Sequence, residues 1–183
     1  MLCAVSLFFL GCDRPATGSV VVAGADSSVA VERPSAAEDE AAIKQVLSQE
    51  TETFFAGDHA AWSTHLVQEP YLSWAVTPFD QPGAVFALQG WETINAFSTN
   101  SWFGEKNAAL RASTEKGVNT RTDWNIQIRD DVAWVAFKQQ HVNSNPPATY
   151  HSAEARVLER QDGKWRVALQ STAVDFANST LPD

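Results

Sequence analysis

The chain has 183 residues, of which 44% are apolar and 19% charged, so it falls in the range of an ordinary globular protein with one core. Its formal net charge is −9, without a basic cluster, and this argues against a nucleic-acid partner because such partners require Lys and Arg that neutralise phosphates. The seven tryptophans and ten phenylalanines can either fill a core or line a cavity for an organic ligand.

The N-terminus carries a short apolar run, residues 2–10, that ends in Gly11 and Cys12. A bilayer requires about 20 apolar residues, so this run is too short to span one and is typical of a signal peptide. Residues 1–12 resemble a bacterial lipoprotein signal, in which the cysteine becomes the lipidated first residue of the mature chain. The resemblance implies lipidation of Cys12, export to the cell envelope, and attachment to the periplasmic side of a bacterial membrane by the lipid alone. Plain secretion and a cytosolic location are the alternatives.

Residues 13–37 are rich in Ala, Ser, Val, Gly and Pro and lack a helical period, which predicts a disordered tether. A helical pattern begins at Asp39 and ends near Ala56. Asp58 is placed to cap a second, short helix. Residues 90–103 predict a third helix.

Strand-forming residues dominate the rest of the chain. Residues 71–76 predict a strand, and a loop with Pro and Gly leads to a second strand or lid at 85–88. Four longer stretches, joined by turn-prone residues, predict an antiparallel meander: 121–129, 132–143, 149–160 and 164–176. Helices followed by a meander indicate an α+β domain, which we expect at 38–177 with a tail at 178–183.

Five motifs follow one another along this domain: Phe55-Ala56-Gly57-Asp58 with Trp62, Gln89-Gly90-Trp91, Asp131-Val132-Ala133-Trp134-Val135, Ala155-Arg156-Val157, and Asp162-Gly163-Lys164-Trp165-Arg166-Val167. Their order resembles the nuclear transport factor 2-like superfamily, in particular its SnoaL-like members and the association domain of calcium/calmodulin-dependent kinase II. The resemblance covers about residues 39–176. It implies a cone-shaped, cystatin-like α+β fold, with helices packed on a strongly curved antiparallel sheet around a pocket. It also implies a homodimer formed through the outer sheet face.

Alternation along the strands predicts which side chains face the interior. Phe137, Gln139 and His141 share a face, and the resemblance implies that this face lines the pocket. Gln139 falls where the kinase association domain carries a pocket arginine, so the positive charge is expected to be missing there. Arg156 falls where that domain has a second pocket arginine, which would bind a carboxylate through a planar fork. The alternative is an exposed arginine paired with Glu154.

Glu50 lies inside the apolar stripe of the first helix, where a carboxylate is costly unless it is paired or lines a wet cavity. Glu50 and His141 are therefore the candidate acid–base residues. The alternatives are a Glu50 side chain that reaches solvent and a structural, hydrogen-bonded His141. Tyr71, Trp74 and Trp91 are the candidate aromatic wall of the pocket. The histidine spacing gives no metal signature and no cofactor motif is visible, so neither group is expected.

Three functions remain open, because a widely used fold hosts enzymes, binding modules and assembly domains alike. The leading hypothesis is an exported, non-catalytic domain that binds a small organic ligand, for which Arg156 suggests a carboxylate. The second is an isomerase, cyclase or hydratase of the SnoaL-like kind, with Glu50 or His141 as the acid–base group. The third is a non-catalytic dimerisation module.

Overall fold

The computed structural model describes residues 33–77, 83–108, 111, 117–144 and 147–180. The predicted signal segment, Cys12 and all but the end of the predicted tether lie outside these residues. The described helices and strands fall in one compact unit, Pro34–Asp183. No helix within the described ranges is long and apolar enough to cross a membrane.

The described residues form three α-helices, α1 (Ala36–Ala56), α2 (His59–Thr64) and α3 (Trp91–Asn100). Helix α1 begins at Ala36 rather than Asp39, because Ser35 and Glu38 form a reciprocal capping box there. The end of the predicted tether therefore belongs to the helix. Helix α2 follows its predicted cap, since the Asp58 carboxylate accepts a hydrogen bond from the Ala61 N–H at 2.9 Å.

The described strands form one curved sheet in the order β2-β1-β6-β5-β4-β3. Their bounds are β1 (Ser73–Val76), β2 (Phe86–Gln89), β3 (Val118–Arg129), β4 (Val132–Ser144), β5 (Pro147–Gln161) and β6 (Lys164–Val174). The four long strands form the predicted antiparallel meander. Strand β1, however, runs parallel to β6, so the sheet is mixed rather than antiparallel throughout. The two strands are far apart in the sequence, and local alternation carries no information about such a pairing.

Two irregularities in register bend the long strands. In β3 the register shifts between Thr122 and Asn125, where Asp123 adopts a φ of 55° and pairs with Lys138 at 2.8 Å. Between β5 and β6 the register shifts after Val157. Each shift exchanges the faces of the strand on its two sides, and extra twist at such points helps a sheet to curve around the helices.

The core lies between the helices and the inner face of the sheet, which is the face that α1 covers. Trp62 of α2 is fully buried at its centre and packs against other aromatic rings, among them Trp74 at 5.6 Å and Trp91 at 6.2 Å between ring centroids. On the outer face, Trp134 remains 50% exposed. These tryptophans are thus divided between the interior aromatic cluster around Trp62 and one exposed position on the outer face of the sheet.

Asp39 anchors the first turn of α1 to the sheet. Its carboxylate forms an ion pair with Arg160 of β5 and accepts a hydrogen bond from the Trp165 indole of β6 at 3.1 Å. The side chains of Asp39 and Arg160 are only 8% and 11% exposed. A buried pair of this kind fixes the position of the helix start, because separating the two charges leaves one of them uncompensated.

Candidate functional site

Polar side chains lie among the apolar ones on the inner face of the sheet, in the middle of the long strands. The strand registers place Arg121 opposite Gln139, Phe137 opposite Glu154, and Arg156 opposite Gln170. Helix α1, which covers this face of the sheet, contributes Glu50 and Thr51. These side chains form what we call the interior cluster: Glu50, Thr51, Arg121, Gln139, Glu154, Arg156 and Gln170.

Glu50 is buried, with 4% of its surface exposed, so the alternative of a carboxylate that reaches solvent is wrong. One carboxylate oxygen accepts a hydrogen bond from the Trp62 indole N–H at 3.0 Å, and the other accepts one from the Thr51 hydroxyl at 3.2 Å. The Thr51 hydroxyl also lies 3.0 Å from the Leu47 carbonyl oxygen, which competes for its single proton. The hydrogen bond from Trp62 is therefore the one that holds the buried carboxylate in place.

Arg121 is an interior residue that the sequence analysis missed. Its Nε donates to the Gln139 Oε1 at 2.9 Å, and its Nη2 donates to the Thr51 hydroxyl at 2.8 Å. The expectation that no positive charge lies beside Gln139 is therefore wrong, because the neighbouring strand supplies it. Burial lowers the pKa of the Arg121 guanidinium, and the nearby Glu50 carboxylate opposes this shift.

The shift in β3 explains why Arg121 was missed. Trp124 stacks on Phe137 of the inner face, with 4.6 Å between ring centroids. Strict alternation counted back from Trp124 places Arg121 on the outer face. The register shift between Thr122 and Asn125 reverses that parity, so both side chains point inward.

Arg156 and Glu154 form a buried ion pair, with 2.8 Å between Nη1 and Oε2 and side chains that are 6% and 1% exposed. The pairing considered in the sequence analysis is correct, whereas the exposure assumed for it is wrong. Glu154 also accepts hydrogen bonds from the hydroxyls of Ser152 at 2.6 Å and Thr172 at 2.7 Å. Its carboxylate thus accepts from three side chains, and the Nη1 of Arg156 is already occupied.

Three polar atoms in one row across the sheet have no hydrogen-bond partner among the described residues: Trp74 Nε1, Gln170 Oε1 and Arg156 Nε. Trp74 of β1 pairs in register with Gln170 of β6, which pairs with Arg156 of β5. Trp74 and Arg156 are each only 6% exposed. Buried polar atoms normally have partners, so these three side chains are candidate contacts for a bound molecule on the inner face of the sheet.

The remaining predicted pocket residues are divided between the interior and the surface. Phe137 lies in the interior, with the guanidinium carbons of Arg121 and Arg156 at 5.6 and 5.7 Å from its ring centroid. Trp74 and Trp91 both pack against Trp62. Tyr71, in contrast, is 47% exposed and donates its hydroxyl to Glu159 at 2.7 Å. It does not belong to the interior aromatic cluster.

His141 is buried and has hydrogen-bond and ring contacts different from those of Glu50. Its Nδ1 lies 3.0 Å from the Asn119 Oδ1, and its ring stacks on Phe55 at 4.8 Å. Burial lowers the pKa of His141, and its hydrogen bond with the Asn143 side chain opposes this shift. Within the described residues no hydrogen bond joins His141 to Glu50, so the two candidate acid–base residues have different hydrogen-bond partners.

Two depressions are outlined by described residues. One, of about 770 Å³, lies on the outer side of the long strands and is lined by Lys138, His151 and Asp175 among others. The other, of about 250 Å³, lies between α1 and β3 and reaches the interior cluster at Arg121. Across the described ranges, no three His, Cys, Asp or Glu side chains are grouped so that they could hold a metal ion.

An α+β domain whose helices fill the concave side of a curved, unclosed sheet belongs to the cystatin-like class of folds. Within that class the chain has the nuclear transport factor 2-like fold, as predicted. A nuclear transport factor 2-like protein with a cystatin-like fold from Novosphingobium aromaticivorans is similar to it with a TM-score of 0.57 and 19% identity, over 78% of this chain and 85% of that chain. One of unknown function from Shewanella oneidensis has a TM-score of 0.54 and 16% identity, over 73% and 98%.

A candidate scytalone dehydratase from Novosphingobium aromaticivorans is also similar, with a TM-score of 0.57 and 9% identity over 79% of this chain and 87% of that chain. No protein-family model matches the sequence, and no curated protein matches it. At these identities the likeness establishes the fold alone. The function has to be argued from the interior cluster, because one fold of this kind supports many activities.

Proposed function

We propose that this protein is an exported domain that binds a small organic ligand inside the cone. The observation that carries the proposal is the row of unpartnered atoms on Trp74, Gln170 and Arg156. Each buried polar atom left without a partner costs about 1–3 kcal/mol. A ligand that offers acceptors to the two N–H groups and a donor to the amide oxygen recovers that cost on binding.

The surroundings of the row support a site for an organic molecule. Trp74 packs on Trp62, and Arg156 lies over the ring of Phe137. Sites for small molecules are lined mainly by apolar and aromatic side chains, with a few polar groups that fix the orientation of the ligand. Arg121 of β3 donates a hydrogen bond to Gln139 of β4 beside this row. The two side chains therefore form a boundary of the site, because their hydrogen-bonding atoms are already paired with each other.

The proposal is tested by a thermal denaturation screen of the chain with small carboxylates, amides, sterol-like compounds and aromatic polyketide-like compounds. A ligand at 100 times its Kd stabilises the folded state by about 2.7 kcal/mol, which appears as a higher Tm. The stabilisation should weaken in Trp74→Phe, which keeps an aromatic ring and loses the N–H donor. Trp134→Phe, on the exposed outer face, is the matched control and should respond as wild type does.

Two results would count against binding at this row. The first is a complete absence of Tm shifts across the panel. The second is a ligand whose Tm shift is equally large in wild type, Trp74→Phe and Arg156→Ala. In the latter case the ligand binds elsewhere, and the outer depression lined by Lys138 and His151 becomes the site to examine.

Export and lipid attachment at Cys12 are part of the proposal and rest on the apolar run and the Gly11-Cys12 pair. Expression of the chain in bacteria fed a labelled fatty acid tests them. We expect label on the wild-type protein and on Cys3→Ala, and none on Cys12→Ala. Labelling that survives the loss of Cys12, or no labelling of the wild type, contradicts the lipid anchor.

An acid–base enzyme is the second candidate, and the buried Glu50 carboxylate is the observation that favours it. The similar structures include a candidate dehydratase, whose chemistry would require a proton acceptor in the cone. The hydrogen bond from Trp62 favours a structural role instead, because it engages one oxygen of the Glu50 carboxylate inside the core. Turnover of any ligand found in the screen, lost in Glu50→Gln with binding retained, would establish the enzymatic alternative.

A further inference from the structure

We infer that the ligand of the row is uncharged and carries a carbonyl-type acceptor next to a hydrogen-bond donor, as an amide does, rather than the carboxylate that Arg156 alone suggests. The inference rests on the proposed function, since it names the class of ligand for the same site. It follows from the pairing of the interior charges and from the order of donors and acceptors in the row.

The positive charge of Arg156 is already balanced. Its Nη1 lies 2.8 Å from the Glu154 Oε2, and the Ala155 and Ser171 carbonyl oxygens accept from the same nitrogen at 3.0 Å each. Glu154 is held in place by the hydroxyls of Ser152 and Thr172, so it cannot turn away without losing those bonds. A carboxylate that entered beside Arg156 would therefore place a second anion next to Glu154 in a site removed from water.

The second interior arginine does not supply a spare charge either. The Thr51 hydroxyl lies 2.8 Å from Arg121 Nη2 and 3.2 Å from Glu50 Oε2, so it bridges the guanidinium and the carboxylate. The interior cluster thus contains two carboxylates and two guanidinium groups, each close to a group of the opposite sign. An ionic ligand would gain little electrostatic stabilisation in a site with no net charge, and it would lose its own hydration on binding.

The order of the unpartnered atoms selects among uncharged ligands. Trp74 Nε1 and Arg156 Nε can only donate, whereas the Gln170 Oε1 between them can only accept. A carboxylate has no proton to give, so it would leave the Gln170 oxygen unsatisfied and facing another oxygen. A primary amide, or a hydroxyl beside a carbonyl, both accepts and donates within one small group. That combination can satisfy the Gln170 oxygen together with a neighbouring N–H donor, which a carboxylate cannot do.

Matched pairs of acids and amides test the inference, because the members differ in charge and hydrogen bonding but hardly in shape. We would titrate the full chain near neutral pH with benzoate and benzamide, phenylacetate and phenylacetamide, and 2-naphthoate and 2-naphthamide, and measure Kd by calorimetry. The expected result is that the amide of at least one pair binds at least tenfold more tightly than its acid. Acids that bind as tightly as their amides, or more tightly, overturn the uncharged class while leaving the proposed function intact. If no compound of any pair binds, the inference falls, whereas the proposed function falls only when the Tm screen of the wider panel also shows no shift.

Glu154→Gln tests the charge argument directly, since it removes the counter-charge of Arg156 and keeps a side chain of similar shape. In this variant the preference for the amide over the acid, measured as the ratio of their affinities, should decrease at least tenfold. Glu159→Gln is the matched control, because it makes the same chemical change on the same strand but where the side chain contacts Tyr71 at the surface. Circular dichroism establishes that both variants are folded, and the wild-type titrations decide the inference if Glu154→Gln is not. A folded Glu154→Gln with an unchanged ratio refutes the charge argument.

Discussion

Asp39 ties the first turn of α1 to strands β5 and β6, and replacing it with Asn removes its charge while keeping its shape. Removing one partner of a buried ion pair costs about 3–5 kcal/mol. Arg160 Nε also lies 3.4 Å from the Asp131 carboxylate, which is 56% exposed, so part of the lost charge is replaced. Asn can still accept the hydrogen bond from Trp165 that Asp39 now accepts at 3.1 Å. We therefore expect the lower end of that range, about 3 kcal/mol.

The assay is urea unfolding followed by tryptophan fluorescence, with the free energy of unfolding extrapolated to water. For a domain of this size a loss of about 3 kcal/mol lowers the Tm by roughly 6–12 °C. Glu40→Gln is the control, since its exposed carboxylate lies 4.0 Å from Lys44 on the same helix and such a pair contributes only about 0.5 kcal/mol. A difference between Asp39→Asn and wild type of less than about 0.5 kcal/mol would refute the reasoning. The hydrogen bond to Trp165, rather than the charge, would then hold the helix start.

Three further predictions concern pH, packing and assembly. Burial lowers the pKa of His141 below its ordinary value of 6.5, so the unfolded chain binds the extra proton. The contribution of His141 to the free energy of unfolding should therefore be complete above about pH 6.5 and be lost as the pH falls. The urea midpoint should fall less with decreasing pH in His141→Gln than in wild type, and an equal fall in both refutes the prediction. An added Cβ at Gly117 would overlap the His141 ring, so Gly117→Ala should lower the free energy of unfolding by about 1–3 kcal/mol. The same substitution should lower it much less when His141 is already replaced by Ala. For the predicted homodimer, sedimentation of the wild type should give twice the chain mass of 20.0 kDa. Trp134→Glu places a charge on the outer face of the sheet and should give the mass of one chain. A monomeric wild type contradicts the predicted homodimer.

The elements of the fold were predictable where their signals are local. Asp58 caps α2 and Gly57, at a φ of 72°, ends α1, because caps depend on a few adjacent residues. The hairpins of the meander likewise follow from short turns between alternating strands. The parallel pairing of β1 with β6 was not predictable in this way. It joins segments separated by most of the domain, and nothing in either segment specifies the other.

The interior cluster was predictable only where the strands are regular. Glu50 was a candidate because helical periodicity places it within an apolar stripe, whereas Arg156 was a candidate only through the resemblance to the kinase association domain. Glu154 was considered as the partner of Arg156, but the burial of this pair was not predictable, because it depends on how tightly the sheet curves. Tyr71 was assigned to the aromatic wall from the place of its predicted strand in related folds, although it precedes β1 and donates its hydroxyl to Glu159 at the surface.

The contact between Arg121 and Gln139 has a consequence for how relatives of this protein should be compared. A guanidinium reaches the same part of the interior from either of two adjacent strands, because residues opposite one another in register share a face. The anchoring position of the charge can therefore move between strands during evolution while the charge itself stays in place. A column-by-column alignment records such an exchange as a lost arginine at one position and an unrelated gain at another. Searches for proteins with the same interior chemistry should score the pair of positions jointly.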